Sequence, residues 1–362
     1  MKRLVFTVSN DLVYDQRMIR ICTTLTHAGY DVLLVGRQYN NTPALVQQPF
    51  AQKRLPLFFR TGVLFYLEYN IRLLFFLLFQ KADLFCAIDL DTILPVLIAS
   101  KCKDTKRVYD AHELFCEMKE VVTRPLVYKV WKWVERMAVP LFPFGYTVNE
   151  PIKNIFRKEY GVDYGVIQNM PVLQEPFLLP NKERFIIYQG AVNEGRSFET
   201  LIPAFQWIDC PIYIYGDGNF LAAAQALTKQ YNLEGKVHFK GKVLPKDLHQ
   251  LTPKAVFGIT LFENRGLSNY YSLANRFFDY IHAGVPQLCV DYPVYRLINQ
   301  QFEVAILIDD LSPGNIAQKI NELLANQALS QKLQKNCLEA RKVLNWQQEE
   351  KKLVQFYKQL LG

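Results

Sequence analysis

The sequence predicts an α/β protein of two Rossmann-like domains with parallel sheets, and three observations carry that expectation. Short, continuously apolar runs alternate with helical stretches along the whole chain, the pattern of strands buried on both faces. The alternation comes in two series, separated around residues 167–185, where Pro171, Pro176 and Pro180 interrupt any periodicity. At 362 residues the chain is too long for one ordinary core and fits two domains of roughly 150–200 residues.

In the first series RLVFTVSN is a strand, DQRMIRICTTLTHAGY a helix and DVLLVGR the next strand. Residues 63–79, VLFYLEYNIRLLFFLLF, read as a buried or interfacial helix, because Glu68, Asn70 and Arg72 in its middle make crossing a bilayer costly. ADLFCAID, RVYDAHE and GYTVNE are further strands, and residues 118–137 are helical. The second series runs FIIYQG, PIYIYGDG, KVHFKG, AVFGITLF, PQLCV and VAILID. Before PQLCV stands YSLANRFFDYIHAGVPQL (271–288), a helix burying Phe277, Phe278 and Ile281, with Ser272 as N-cap, Gly284 just past its end and Pro286 as stop. The chain closes on an amphipathic helix capped by Asn345. The expected domains are 1–168 and 169–344, followed by the terminal helix 345–362.

Half of the residues are hydrophobic, 14% aromatic and 21% charged, a globular composition. Of the net charge of +8, residues 1–165 carry +6, which suits a phosphorylated substrate, an anionic lipid surface or a solvated basic face. No nucleic-acid module accompanies it. Seven cysteines, without CxxC spacing and mostly inside apolar runs, read as reduced core residues of a cytosolic protein. The N-terminus lacks a secretory pattern, so the chain is expected to stay in the cytoplasm.

In open parallel sheets ligands collect beyond the carboxyl ends of strands, so those residues are the candidates. SNDLVYDQRMIR lacks GxGxxG, which disfavours a nicotinamide enzyme. Asp15 and Arg17 there either cap a helix and carry surface charge or contact a phosphate or acceptor. Asp89 and Asp91 in AIDLDT could divide acid and base roles, but more often such a pair caps the next helix. In VYDAHELF, His112 stands beside Asp110 and Glu113 without the spacing of a zinc site, so no metal is expected. QGAVNEGRSFETL brings Gly190 and Arg196 to one strand end, an arrangement suited to a diphosphate or simply a structural turn. Gly216, Gly218 and Gly241 follow later strands, and together these glycines suggest that a nucleotide approaches their backbones closely.

Taken together, SNDLVYDQR, AIDLDT, YDAHELF, IQNMP, YQGAVNEGR, YGDGN and SLANRFFDYIHAGVPQ resemble the retaining glycosyltransferases of family 4. The resemblance covers nearly the whole chain. It implies the GT-B fold: two facing Rossmann-like domains, an N-terminal one for the acceptor and a C-terminal one for the nucleotide sugar, with the last helix crossing back to the first. It implies that His112 contacts the transferred sugar and that Arg196 grips the diphosphate. Ala191 stands where the family has a second clamp, which Arg17 or Arg276 would have to replace. Of the family's two glutamates, Asp279 takes the ribose-binding position while Tyr271 replaces the other. Ser272, Leu273, Ala274, Asn275 and Arg276 are the local substitutes for donor contact.

The implied reaction moves a sugar from a nucleotide diphosphate to an acceptor hydroxyl with retention, without an obligatory metal or cofactor, in cell-envelope polysaccharide or glycolipid synthesis. The implied partners are the nucleotide sugar, a glycan or lipid-linked acceptor and an anionic membrane surface on which the protein would be peripheral. A sugar-nucleotide epimerase, or a two-lobed binding protein that has lost its chemistry, are the alternatives.

Overall fold

A computed structural model describes residues 1–39, 42–175 and 179–362; Pro176, read above as part of the interdomain break, lies outside them. The chain divides into two compact units, residues 1–169 with 349–362, and residues 170–348.

In the first unit, strands β1 (Arg3–Thr7), β2 (Asp31–Gln38), β3 (Ala51–Pro56), β4 (Leu84–Ile88), β5 (Lys106–Ala111), β6 (Phe144–Thr147) and β7 (Gly165–Val166) form a parallel sheet. Its order among the described residues is β3-β2-β1-β4-β5-β6-β7. The central strands are apolar throughout because both faces are covered: every residue of β4 is buried. β3, sequence AQKRLP, is an edge strand that the apolar-run criterion passes over; pairing with β2 alone, it keeps half of its residues exposed. The terminal helix Trp346–Leu361 lends its last turns to this unit. Tyr357 is fully buried with its ring 6.0 Å from Phe6 and its hydroxyl 3.3 Å from that of Tyr146, while Glu349 accepts the N–H of Gln168 at 2.8 Å.

In the second unit β8 (Glu183–Gln189), β9 (Ile212–Tyr215), β10 (Val237–Gly241), β11 (Ala255–Thr260), β12 (Gln287–Val290) and β13 (Ala305–Ile308) are again all parallel. The order among the described residues is β10-β9-β8-β11-β12-β13. Strand order reverses at β1/β4 in one sheet and β8/β11 in the other, so those two carboxyl ends are where each sheet opens to a ligand. The high aromatic content is structural in both units: tyrosines bury a ring and tether its hydroxyl to backbone carbonyls, as Tyr280 does to Ile187 O at 3.2 Å and Tyr164 to Phe142 O at 3.0 Å.

Three local expectations change. The segment 118–137 is two helices, Lys119–Val122 and Pro125–Ala138, because Pro125 excludes Arg124 from helical geometry. The helix expected to start at Ser272 starts at Asn275, after a separate turn of helix at Leu267–Tyr270. Six cysteines are buried as expected, but Cys102, at a helix end, is exposed.

Candidate functional site

At the β8 and β11 ends of the second unit two guanidinium groups meet one ring. Arg196 lies 4.7 Å and Arg276 4.6 Å from the centre of Phe262, and Arg276 also lies 4.5 Å from the ring of Tyr188. Arg276 enters on the first turn of the helix Asn275–His282, whose apolar residues Phe277, Phe278 and Ile281 are buried and fix its rotation. Its Nη1 donates to the Tyr188 hydroxyl at 2.9 Å and to Gln189 O at 3.4 Å. Its Nε and Nη2 are buried without a partner, and the residue is only 7% exposed. A buried guanidinium with unmet N–H groups and, among the described residues, no ion pair is poised for an anion.

Gly190 ends β8 at a φ of 121°, where a Cβ would stand 3.2 Å from Arg276 Nη1. Glycine therefore keeps the backbone close to that cation. Gly216 and Gly218 have a different cause from the one expected. A Cβ at Gly216 would lie 1.8 Å from Gly190 O, and one at Gly218 2.2 Å from Asn193 Oδ1, so these glycines admit the neighbouring 190–193 loop. Gly241 has open space and a φ of 72°. Ala191 accepts the Tyr188 hydroxyl through its carbonyl at 2.7 Å.

The polar stretch before the helix is partly consumed internally. Ser272 caps nothing; its hydroxyl lies 3.3 Å from that of Tyr295, which also accepts the Ala274 N–H at 2.9 Å. The Ala274 N–H is thus not free for a ligand, and Leu273 packs against the core. Asn275 is exposed at the helix start, and Tyr271 stacks edge-on against Tyr270. Asp279 accepts the Gln189 side-chain amide at 3.0 Å from a half-buried position. His282 lies 2.7 Å from Leu344 O, a contact that fixes the end of this helix.

The first unit's cluster is built differently. Arg17, offered above as an acceptor or phosphate contact, is 4% exposed and pairs with fully buried Asp110 at 2.9 Å and with Ile167 O at 3.1 Å. It is a structural ion pair, joining the first turn of the helix Gln16–His27 to β5. Asp15 caps that helix, accepting the Met18 N–H at 3.1 Å. His112 bridges two carboxylates, Nε2 to Asp110 at 3.1 Å and Nδ1 to Asp89 at 3.4 Å. Burial disfavours its charge, but Asp110 and Asp89 outweigh that and raise its pKa to about 9, so at neutral pH it is an imidazolium. Asp110 stays ionised despite burial because Arg17 and His112 hold its pKa down.

Asp89 and Asp91 do not cap the helical turn that follows them; neither side chain makes a capping bond there. Asp89, at a φ of 54°, accepts the His112 N–H at 2.8 Å, and burial followed by Glu113 and Asp91 nearby raises its pKa to about 7. Asp91 accepts the Ser9 hydroxyl, and burial raises its pKa to about 6. Among the described residues no group of three His, Cys, Asp or Glu is placed to hold a metal.

Sequence reading passed over Phe262, Tyr188 and Gln189. Their signal is only that they end β11 and β8, and that those strands are neighbours is visible only in the fold.

Two parallel Rossmann-like sheets, with a terminal helix returning to the first, define the GT-B class. Residues 170–340 match the family described as glycosyl transferases group 1. The chain carries a group 1 domain, that of the retaining family 4 glycosyltransferases, and is an enzyme of that kind acting on a nucleotide-sugar donor. Solved structures agree in fold. Sucrose-phosphate synthase from Thermosynechococcus elongatus superposes with a TM-score of 0.81 at 15% identity, covering 99% of each chain. HepE from Anabaena, in complex with UDP and glucose, gives 0.77 at 13% identity, covering 99% of this chain and 100% of that one. WaaG, a glycosyltransferase involved in lipopolysaccharide biosynthesis, gives 0.76 at 15%, covering 97% and 98%. No curated protein matches the chain in sequence.

Proposed function

We propose that the protein transfers a sugar, with retention, from a nucleotide diphosphate to a hydroxyl of a glycan or lipid-linked acceptor in cell-envelope polysaccharide or glycolipid synthesis, working peripherally at the cytoplasmic face of a membrane. The observation that carries the reading is Arg276: a buried cation with two unmet nitrogens beside Gly190, sharing the Phe262 ring with Arg196. It supplies the second diphosphate clamp that Ala191 cannot. The pair meets the charge that develops on the departing diphosphate.

In the proposed reaction the bond between the anomeric carbon and the β-phosphate oxygen breaks, and its electron pair leaves with the diphosphate. The acceptor oxygen bonds to the same face of that carbon, and its proton passes to a leaving-phosphate oxygen. His112 does not act as a general base, since its ring is already protonated at neutral pH, and it donates to a sugar hydroxyl in exchange for its longer Nδ1 contact with Asp89. Asp279 receives the ribose hydroxyls in exchange for its Gln189 contact.

The test is calorimetry with UDP, GDP, ADP and their sugars, followed by turnover with and without acceptor. UDP and UDP-glucose are tried first, because HepE is solved with UDP and with UDP-glucose. Binding that weakens in Arg196→Ala and Arg276→Ala supports the reading. No binding, equal binding in both variants, or conversion of the donor without any acceptor would sink it.

A further inference from the structure

The helix Gly62–Leu78 buries only Phe65, Tyr69, Leu73 and Leu77, yet its outward face is also apolar. Val63, Leu64, Leu67, Ile71 and Phe75 are 47–78% exposed. Both of its ends carry an exposed aromatic beside a cation: Phe58 with Arg60 before it, Phe79 with Lys81 after it. The helix Pro125–Ala138 touches it, Trp131 lying edge-on to Tyr66 at 5.1 Å. Its exposed stripe is Leu126, Lys129, Val130, Trp133, Arg136 and Met137, a mixture of apolar and cationic groups at helical spacing.

The acids of these helices are withdrawn from both faces. Glu68, the acid of the first, accepts the N–H groups of Phe58 and Phe59 and pairs with Arg72 at 2.9 Å. Glu135, that of the second, is 3% exposed and pairs with Lys132 at 2.9 Å. The two faces therefore offer hydrocarbon and positive charge without a compensating carboxylate. An exposed apolar area of this extent marks a binding surface, and its charge selects the occupant. A second copy meeting it about a two-fold axis would set Lys129 and Arg136 against their own kind.

We infer that this face of the first unit docks in the interface of an anionic lipid bilayer, the two helices lying in its plane with their apolar residues among the acyl chains and Arg60, Lys81, Lys129 and Arg136 at the phosphates. Among the described residues no helix is long and apolar enough to cross a membrane, so the association is peripheral. The inference sharpens the peripheral placement proposed above by naming the surface, and it stands apart from the donor chemistry.

The test is flotation of the full chain with phosphatidylcholine vesicles, with and without phosphatidylglycerol, alongside Leu67→Ser/Phe75→Ser and Lys129→Glu/Arg136→Glu. Wild type should float with the anionic vesicles, show a blue-shifted Trp133 fluorescence that Trp133→Phe removes, and detach in high salt. Each double variant should lose at least tenfold in partitioning, at roughly fivefold or more per charge. Failure of wild type to float with anionic vesicles, equal partitioning of the variants, or indifference to phosphatidylglycerol overturns the inference. So does self-association that the Leu67/Phe75 variant abolishes, which would assign the face to a second copy. UDP affinity, measured in parallel, should not change in any variant. Failure of the wild type to float while it binds UDP therefore condemns only the docking face, and flotation without UDP binding condemns only the donor reading.

Discussion

Arg17 in the first unit and Arg276 in the second are both more than nine-tenths buried at a strand end, yet their charges have opposite fates. Arg17 faces fully buried Asp110, which in turn holds His112, and Asp89 completes a chain of alternating charges. Arg276 has aromatic rings, a phenol and a carbonyl around it, and among the described residues it forms no ion pair. The first cluster pairs its charges in a network that organises a strand end, with only the Arg17 Nε left unmet; the second stores uncompensated positive charge at some expense to stability, the usual condition of a site awaiting an anion.

The comparison is tested hardest by removing Asp110. Asp110→Ala strands two buried cations, and the denaturation midpoint should report a loss of about 3–5 kcal/mol. A loss below about 1 kcal/mol would mean the network is not paired as described.

The pH dependence comes next. Because the folded pKa of His112 is raised to about 9, its stabilising contribution is complete below about 6.5 and disappears as pH rises through 9. Urea midpoints across that window should fall by an amount on the order of 2–3 kcal/mol, and His112→Gln should flatten the fall. Asp89, raised to about 7, gives a decline of the same order between about pH 4 and 7, since the folded state there holds the proton more tightly.

Arg276→Met should then lower affinity for a nucleoside diphosphate by about 2 kcal/mol, read by calorimetry, while leaving the melting temperature equal or higher. If melting fell as far as in the Asp110 variant, Arg276 would be structural and the contrast would collapse. Smallest is Gly190→Ala. A side chain at that positive φ costs about 1 kcal/mol and crowds Nη1 of Arg276, so nucleotide binding should weaken modestly.

The buried strands were legible because their period of apolar residues reflects double-sided cover, and Asn345 was legible as a cap because its partner, the N–H of Gln348, is three residues away. What local reading missed depends on distant partners. Ser272 has the chemistry of a cap, but Tyr295 occupies it. Arg17 has the chemistry of a phosphate ligand, but its carboxylate lies 93 residues on. Gly216 and Gly218 advertise close approach correctly, while the approaching object is another loop of the same unit. Phe262, which gathers both guanidinium groups, carries no mark in its own neighbourhood of being anything but core.

The division of the chain bears on how it is made. The second unit is contiguous, whereas the first is interrupted and needs residues 349–362, which a ribosome makes only after the whole of the second unit. Until then the positions that Tyr357 covers, around Phe6, Cys86 and Tyr146, have no lid. Maturation of the first unit's sheet must therefore wait until the whole second unit has been synthesised, although its strands emerge earlier, and residues 349–362 act as the latch that completes it.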